Sequence, residues 1–205
     1  MKTLKVLILG ILLSISASVF SQNNALGFRL GDPSGLSYKN YRGNNALEIN
    51  VGRSHIFSRS NWYYNRFDNW YEKQKFGYKD WKVTGYKASM PIGIQVHYLF
   101  RNGIDKVADE KTPGLEWYYG VGGQLRFQSY YYTYRYKIDG NPNWLYADGG
   151  RVSDFDIGAD GVLGIEYRFK GAPISAFADI TLFMEILDNP FLFYFQGGLG
   201  ARYHF

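Results

Sequence analysis

The chain has 205 residues, a formal net charge of +5, 24 Gly, 19 Tyr, 15 Phe and 5 Trp. With no Cys it can hold neither a disulfide framework nor a thiol nucleophile. Its mean hydropathy of −0.30 is too polar for a bundle of membrane helices.

The first segment, MKTLKVLILGILLSISASVFSQ, has a basic start at Lys2 and Lys5, an apolar run from Val6 to Val19, and small residues at Val19 and Ser21. That order is expected of an export signal cleaved after Ser21, leaving 22–205 as one domain. No later stretch approaches the ~20 apolar residues of a spanning helix.

Period-two alternation follows instead. Three short strands are predicted over 25–31, 36–42 and 46–52; Leu26, Phe28, Leu30, Leu36, Leu47, Ile49 and Val51 face one way, Arg29, Lys39 and Glu48 the other. The GDPSG joint at 31–35 reads either as a tight loop or as a bulge within one long strand. A loop is expected over 53–89, dense in rings and bases. Strands resume at 90–100 (Ile92, Ile94, Val96, Tyr98 and Phe100 against Gln95 and His97) and 115–128 (Trp117, Val121, Leu125 and Phe127 against Glu116, Gln124 and Arg126). Between them lies an inner connection at 101–113. A second ring-rich loop, 129–153, leads to a strand at 155–169, where Asp156, Asp160, Glu166 and Arg168 share the polar face. The strand at 174–186 carries Asp179 and Glu185 on that face, and the last, 193–205, carries Arg202 and His204.

Eight strands, an even number, suit an antiparallel up-and-down barrel of all-β class. A soluble barrel would also alternate, but its apolar face would fill the inside. Here ionised groups recur on one face of nearly every strand, and the other face gathers rings at the strand ends (Tyr98, Phe100, Trp117, Tyr167, Phe169, Tyr203, Phe205). That pattern belongs to a barrel with lipid outside, a polar lumen within and aromatic girdles at the two interfaces, placing the chain in a bacterial outer membrane. The lumenal set Arg29, Lys39, Glu48, Glu116, Arg126, Asp160, Glu166, Arg168, Asp179, Glu185 and Arg202 is expected to pair across a narrow interior and plug it. A narrow channel is the alternative.

The export signal, the eight alternating strands and the final strand ending on Phe205 resemble the small OmpA/OmpX-like outer-membrane barrels. The resemblance implies fold and compartment rather than activity. It also implies that Tyr203 and Phe205 belong to a C-terminal signal read by the barrel-assembly machinery.

With both termini on the periplasmic side, 53–89 and 129–153 face outward. Their Trp62, Tyr63, Tyr64, Arg66, Trp70, Tyr71, Trp81, Tyr132, Tyr134 and Trp144 are the candidate binding surface. The expected partners are outer-membrane lipid and lipopolysaccharide, another surface protein or a glycan, because rings stack on sugars and proteins while Arg and Lys attract phosphates. The competing expectation is that these rings pack on one another. Nucleic acid does not fit the compartment. No phosphate loop, paired-His helix or Cys/His cluster suggests a metal or cofactor. An enzyme is not expected; the runner-up is a lipid-modifying enzyme using His55, beside Ser54 and Ser58.

Overall fold

The computed structural model describes residues 23–54, 60–78, 80–104, 114–187 and 190–205, with only the backbone of 60–62. The expected signal segment, His55 and most of the connection 101–113 lie outside the described residues.

The strands are β1 (Asn24–Gly31), β2 (Ser34–Arg42), β3 (Asn45–Arg53), β4 (Asp80–Ala88), β5 (Ile92–Gly103), β6 (Leu115–Lys137), β7 (Leu145–Asp148), β8 (Val152–Arg168), β9 (Ile174–Glu185) and β10 (Phe193–His204); one helix, α1 (Ser60–Gln74), lies between β3 and β4. Eight of the strands close a ring, each antiparallel to its neighbours, in the order β1, β2, β3, β5, β6, β8, β9, β10 and back to β1. The seam pairs Ala25 with His204 through Gly31 with Gly198, and Phe205 adds backbone bonds to Asn24. A closed ring leaves no sheet edge unpaired in the bilayer, which a spanning sheet requires. The joint at 32–33 is a tight turn between paired strands β1 and β2, so the single bulged strand is excluded. At the β2–β3 turn, Gly43 supplies the positive φ of 59° that a two-residue hairpin demands of its first residue.

Strand alternation fixes the two faces. Outside, apolar side chains stand exposed on every strand of the ring, Phe28 to 71% and Phe195 to 80%. A continuous belt of this kind has no place in water and marks the lipid face. Inside are the charged groups and large rings, the rings seated against glycines: Phe183 against Gly158, Tyr118 against Gly164, and Phe177 against Gly200. Alternating small and large residues let so narrow a barrel fill. Among the described residues no helix is long and apolar enough to cross a membrane; the strands do that.

Two expected loops are corrected. The segment 53–89 contains α1 and β4, and 129–153 contains the upper part of β6 together with β7. β6 runs on above the ring, flanked by β4 through Asp80↔Lys137 to Ala88↔Tyr130 and by β7 through Thr133↔Asp148 to Tyr136↔Leu145. The result is a three-stranded cap sheet at the end of the barrel away from the N- and C-termini. Its ring-rich face carries Tyr130, Tyr132 and Tyr134, in step with lumenal Gln124, Arg126 and Gln128 of the same strand. The helix packs on that inner face: the Tyr63 hydroxyl donates to Gln128 Oε1 at 2.7 Å, and Arg66 Nη1 lies 3.4 Å from Asp154 of β8.

Candidate functional site

The lumen is built by the inward residues of all eight ring strands. Nearer the end that carries the termini, Glu166 of β8 is the hub. Its carboxylate receives Lys39 Nζ at 2.6 Å, the Tyr41 hydroxyl at 2.6 Å, the Ser175 hydroxyl at 2.5 Å and Arg202 Nη1 at 3.4 Å. Arg202 also reaches Glu48 Oε2 at 2.6 Å, donates to Ser37 Oγ at 2.9 and 3.0 Å, and lies over the Phe177 ring at 3.5 Å. The Lys39 ammonium sits 4.1 Å above Tyr118. This is a fully buried four-charge network, its charges balanced and most of its donors and acceptors occupied, which is the condition for burying ions at all.

Outward of it, His97 Nε2 stands 3.0 Å from Asp160 Oδ2, and Arg29 Nη2 is 2.5 Å from Asp179 while its Nη1 donates to the Pro33 carbonyl. Gln95 links Gln124 at 3.2 Å and Gln196 at 3.0 Å across the interior. Arg126 lies over the Phe183 ring at 3.7 Å, and Asp156 and Glu185 are buried in the same inner wall. At the rim beside the termini, Arg101 holds Glu116 by two bonds of 2.9 and 2.5 Å, and Arg168 Nη2 is 3.1 Å from His204 Nδ1. Each lumenal residue expected from the sequence faces inward, Glu116 and Arg168 half-buried at the rim. Sequence reasoning put Ser37 and Ser175 on the inward face without assigning them to the charge network, and missed Tyr41 and the rim cation Arg101. Their signal was parity alone, which says which way a residue points but not what it meets.

The outer rings are placed differently from expectation. Tyr63, Tyr71, Tyr132 and Tyr134 are not a display surface. With Phe67 and Tyr130 they form a buried core between α1 and the cap sheet. The reason is a stripe on α1 at Tyr63, Phe67, Trp70 and Tyr71, the i, i+4, i+7, i+8 spacing of one helix face, meeting alternate tyrosines of β6. Tyr63 stacks on Tyr86 at 4.0 Å, Tyr71 on Trp81 at 4.7 Å, and Phe67 meets Tyr132 edge-on at 5.0 Å. Trp70 and Trp81 pack partly buried against this core, and Arg66 is engaged with Asp154. Tyr64 remains exposed; the side chain of Trp62 lies outside the described residues. Trp144 sits on the opposite side of the sheet, with the Arg135 guanidinium 4.5 Å and the Lys137 ammonium 4.8 Å from its ring.

Burial pushes the Tyr63 and Tyr71 hydroxyls from 10.0 up to about 12. For Tyr63 the hydrogen bond to Gln128 opposes that rise. A docked phenol that ionises later than an undocked one stabilises docking fully below pH 10, and that share is lost as the pH climbs from 10 to 12. Protease cleavage of α1 is therefore expected to rise only in that window, together with tyrosinate absorbance. Cleavage that sets in at neutral pH, or none up to pH 12, would contradict it.

Among the described residues no group of three or more His, Asp or Glu is arranged to hold a metal. Of the histidines, His97 and His204 are buried in the lumen wall, the latter 2.9 Å from Ser175 Oγ.

A closed antiparallel ring, apolar outside and ionised inside, defines an integral β-barrel of the outer-membrane type. No protein-family model and no curated protein matches the sequence. Among solved structures the chain is similar to the N-terminal β-barrel domain of Pseudomonas aeruginosa OprF, at 15% identity over 90% of this chain and 98% of that one, with a TM-score of 0.46.

Proposed function

We propose that the protein is an exported structural subunit of the outer membrane, with a plugged lumen, whose cap binds the polyanionic saccharide of outer-leaflet lipopolysaccharide. The observation that carries this reading is the outward face of the cap sheet. Lys82 pairs with Arg135 and Arg135 with Tyr146; Lys87 pairs with Tyr131; Asp80 pairs with Lys137. Trp144 lies beneath two of these cations, and Tyr146 is 71% exposed. On β6 this face continues the lipid-facing row Val121, Leu125, Phe127. At a strand rise of about 3.4 Å per residue and a tilt near 40°, Arg135 stands roughly 20 Å above Phe127. That is where sugars and phosphates of surface glycolipid lie. Arg and Lys pair with phosphate and exposed rings stack on sugar. The aromatic-basic surface is thus retained as the interaction feature but assigned to the face opposite α1.

The test is titration of the detergent-solubilised protein with lipopolysaccharide. Replacing Lys82, Arg135 and Lys137 together by Ala is expected to weaken binding at least about tenfold and to flatten its salt dependence, with heat-modifiable migration of the barrel unchanged. Unaltered affinity would sink the proposal. Loss of a co-purifying protein in the triple variant, with lipopolysaccharide binding intact, would point to a protein partner instead.

A further inference from the structure

Among the described residues, the wall of the barrel has a lateral break at its outer end. β3 stops at Arg53, which pairs with Ile92 at the start of β5. β4 rises beyond that point and, among the described residues, pairs with β6 on one side only. The gap is an open groove of about 370 Å³, lined by Arg53, Tyr63, Tyr86, Met90, Pro91 and Gln128. Three features bear on what fits it. First, the groove continues the lipid-facing belt: Val51 and Ile92 stand exposed below it and Met90 is 62% exposed at its edge. Second, Arg53 follows Ile49 and Val51 on the outward side of β3, so it ends an apolar row at the height where headgroups begin. Among the described residues no ion pair engages it. Third, the back wall is amphipathic, with the stacked rings of Tyr63 and Tyr86 beside the Gln128 amide.

We infer that this groove seats the phosphate-bearing headgroup of one outer-leaflet lipid. The Arg53 guanidinium pairs with the phosphate in the fork geometry that suits it. Met90 and Pro91 meet the first carbons of the acyl chains, which run down over Ile92 and Val51. The volume suits a headgroup and the first carbons of a chain, not a whole lipid, so the chains stay in the belt. This site uses none of the cations assigned above to saccharide and does not rest on that reading.

The experiment is native mass spectrometry of the full chain in detergent, with lipid A, the phosphate-bearing membrane anchor of lipopolysaccharide without its outer saccharide, as probe and heat-modifiable migration as the folding check. Wild type is expected to keep one lipid per barrel. Arg53→Ala should lower its occupancy about tenfold, Arg53→Lys only partly, and Ala88→Trp, which keeps Arg53 but adds bulk beside the groove, should also lower it. The Lys82, Arg135 and Lys137 triple variant should retain the lipid. Equal retention by wild type, Arg53→Ala and Ala88→Trp would overturn the assignment. So would displacement of the lipid by inorganic phosphate alone, which would make the groove a site for a free anion.

Discussion

Replacing Glu166 by Ala is expected to destabilise the barrel by about 3–5 kcal/mol, the range for removing one partner of a buried ion pair. The size follows from what is stranded. Lys39 loses the carboxylate 2.6 Å from its ammonium, and its nearest remaining companion is the Tyr118 ring. Arg202 keeps Glu48, so its charge stays matched. The Tyr41 and Ser175 hydroxyls lose their acceptor in a wall that water does not freely reach. Unfolding in urea from lipid vesicles, followed by heat-modifiable migration, would read the loss. Because the cost comes from an orphaned ammonium and not from lost carbon, the double variant Lys39→Met with Glu166→Ala should recover much of it. Simple additivity of the two single changes would show that the pair is not coupled.

That network was half legible in the sequence. Strand parity is exact, so Lys39, Glu48, Glu166 and Arg202 could each be assigned inward from their apolar neighbours. Who meets whom could not. Lys39 and Glu166 are 127 residues apart and touch across the barrel only because of its tilt and stagger, which no local pattern encodes. The cap was missed for another reason. Tyr130, Tyr132, Tyr134 and Tyr136 alternate with Thr133, Arg135 and Lys137 as plainly as any membrane strand. But Tyr131 puts a ring on the other face as well, and contrast between faces is what announces a strand. In β4 the register shift between Val83 and Gly85 breaks the parity outright. The helical stripe of α1 was present too, yet the neighbouring rings of Trp62 and Tyr64 hid it in a segment that read as one aromatic loop. The groove at Arg53 depends on where β3 stops relative to β4, a matter of three dimensions alone.

Replacing Tyr132 by Ala is expected to release α1 while leaving the ring of eight strands intact. Tyr132 is fully buried in the cap core, touches Phe67, Trp70 and Tyr130, and donates its hydroxyl to the Tyr63 carbonyl at 2.8 Å. Truncating a buried ring to Ala costs about 3–5 kcal/mol. A lone helix of 15 residues has little stability of its own in water, so it cannot absorb that loss and stay docked. The barrel pays nothing, since none of its ring pairings involves residue 132; β6 meets β5 and β8 only up to Tyr130. Proteinase K on intact cells should then cut the variant within 60–74 while the barrel fragment keeps its folded migration. Binding through Lys82, Arg135 and Lys137 should survive, because those residues sit on the far face of a sheet whose backbone pairing is unchanged. Loss of saccharide binding together with α1 would mean that the helix, and not the outward face, carries the contact. Resistance to protease in the variant would mean that the cap core does not hold the helix in place.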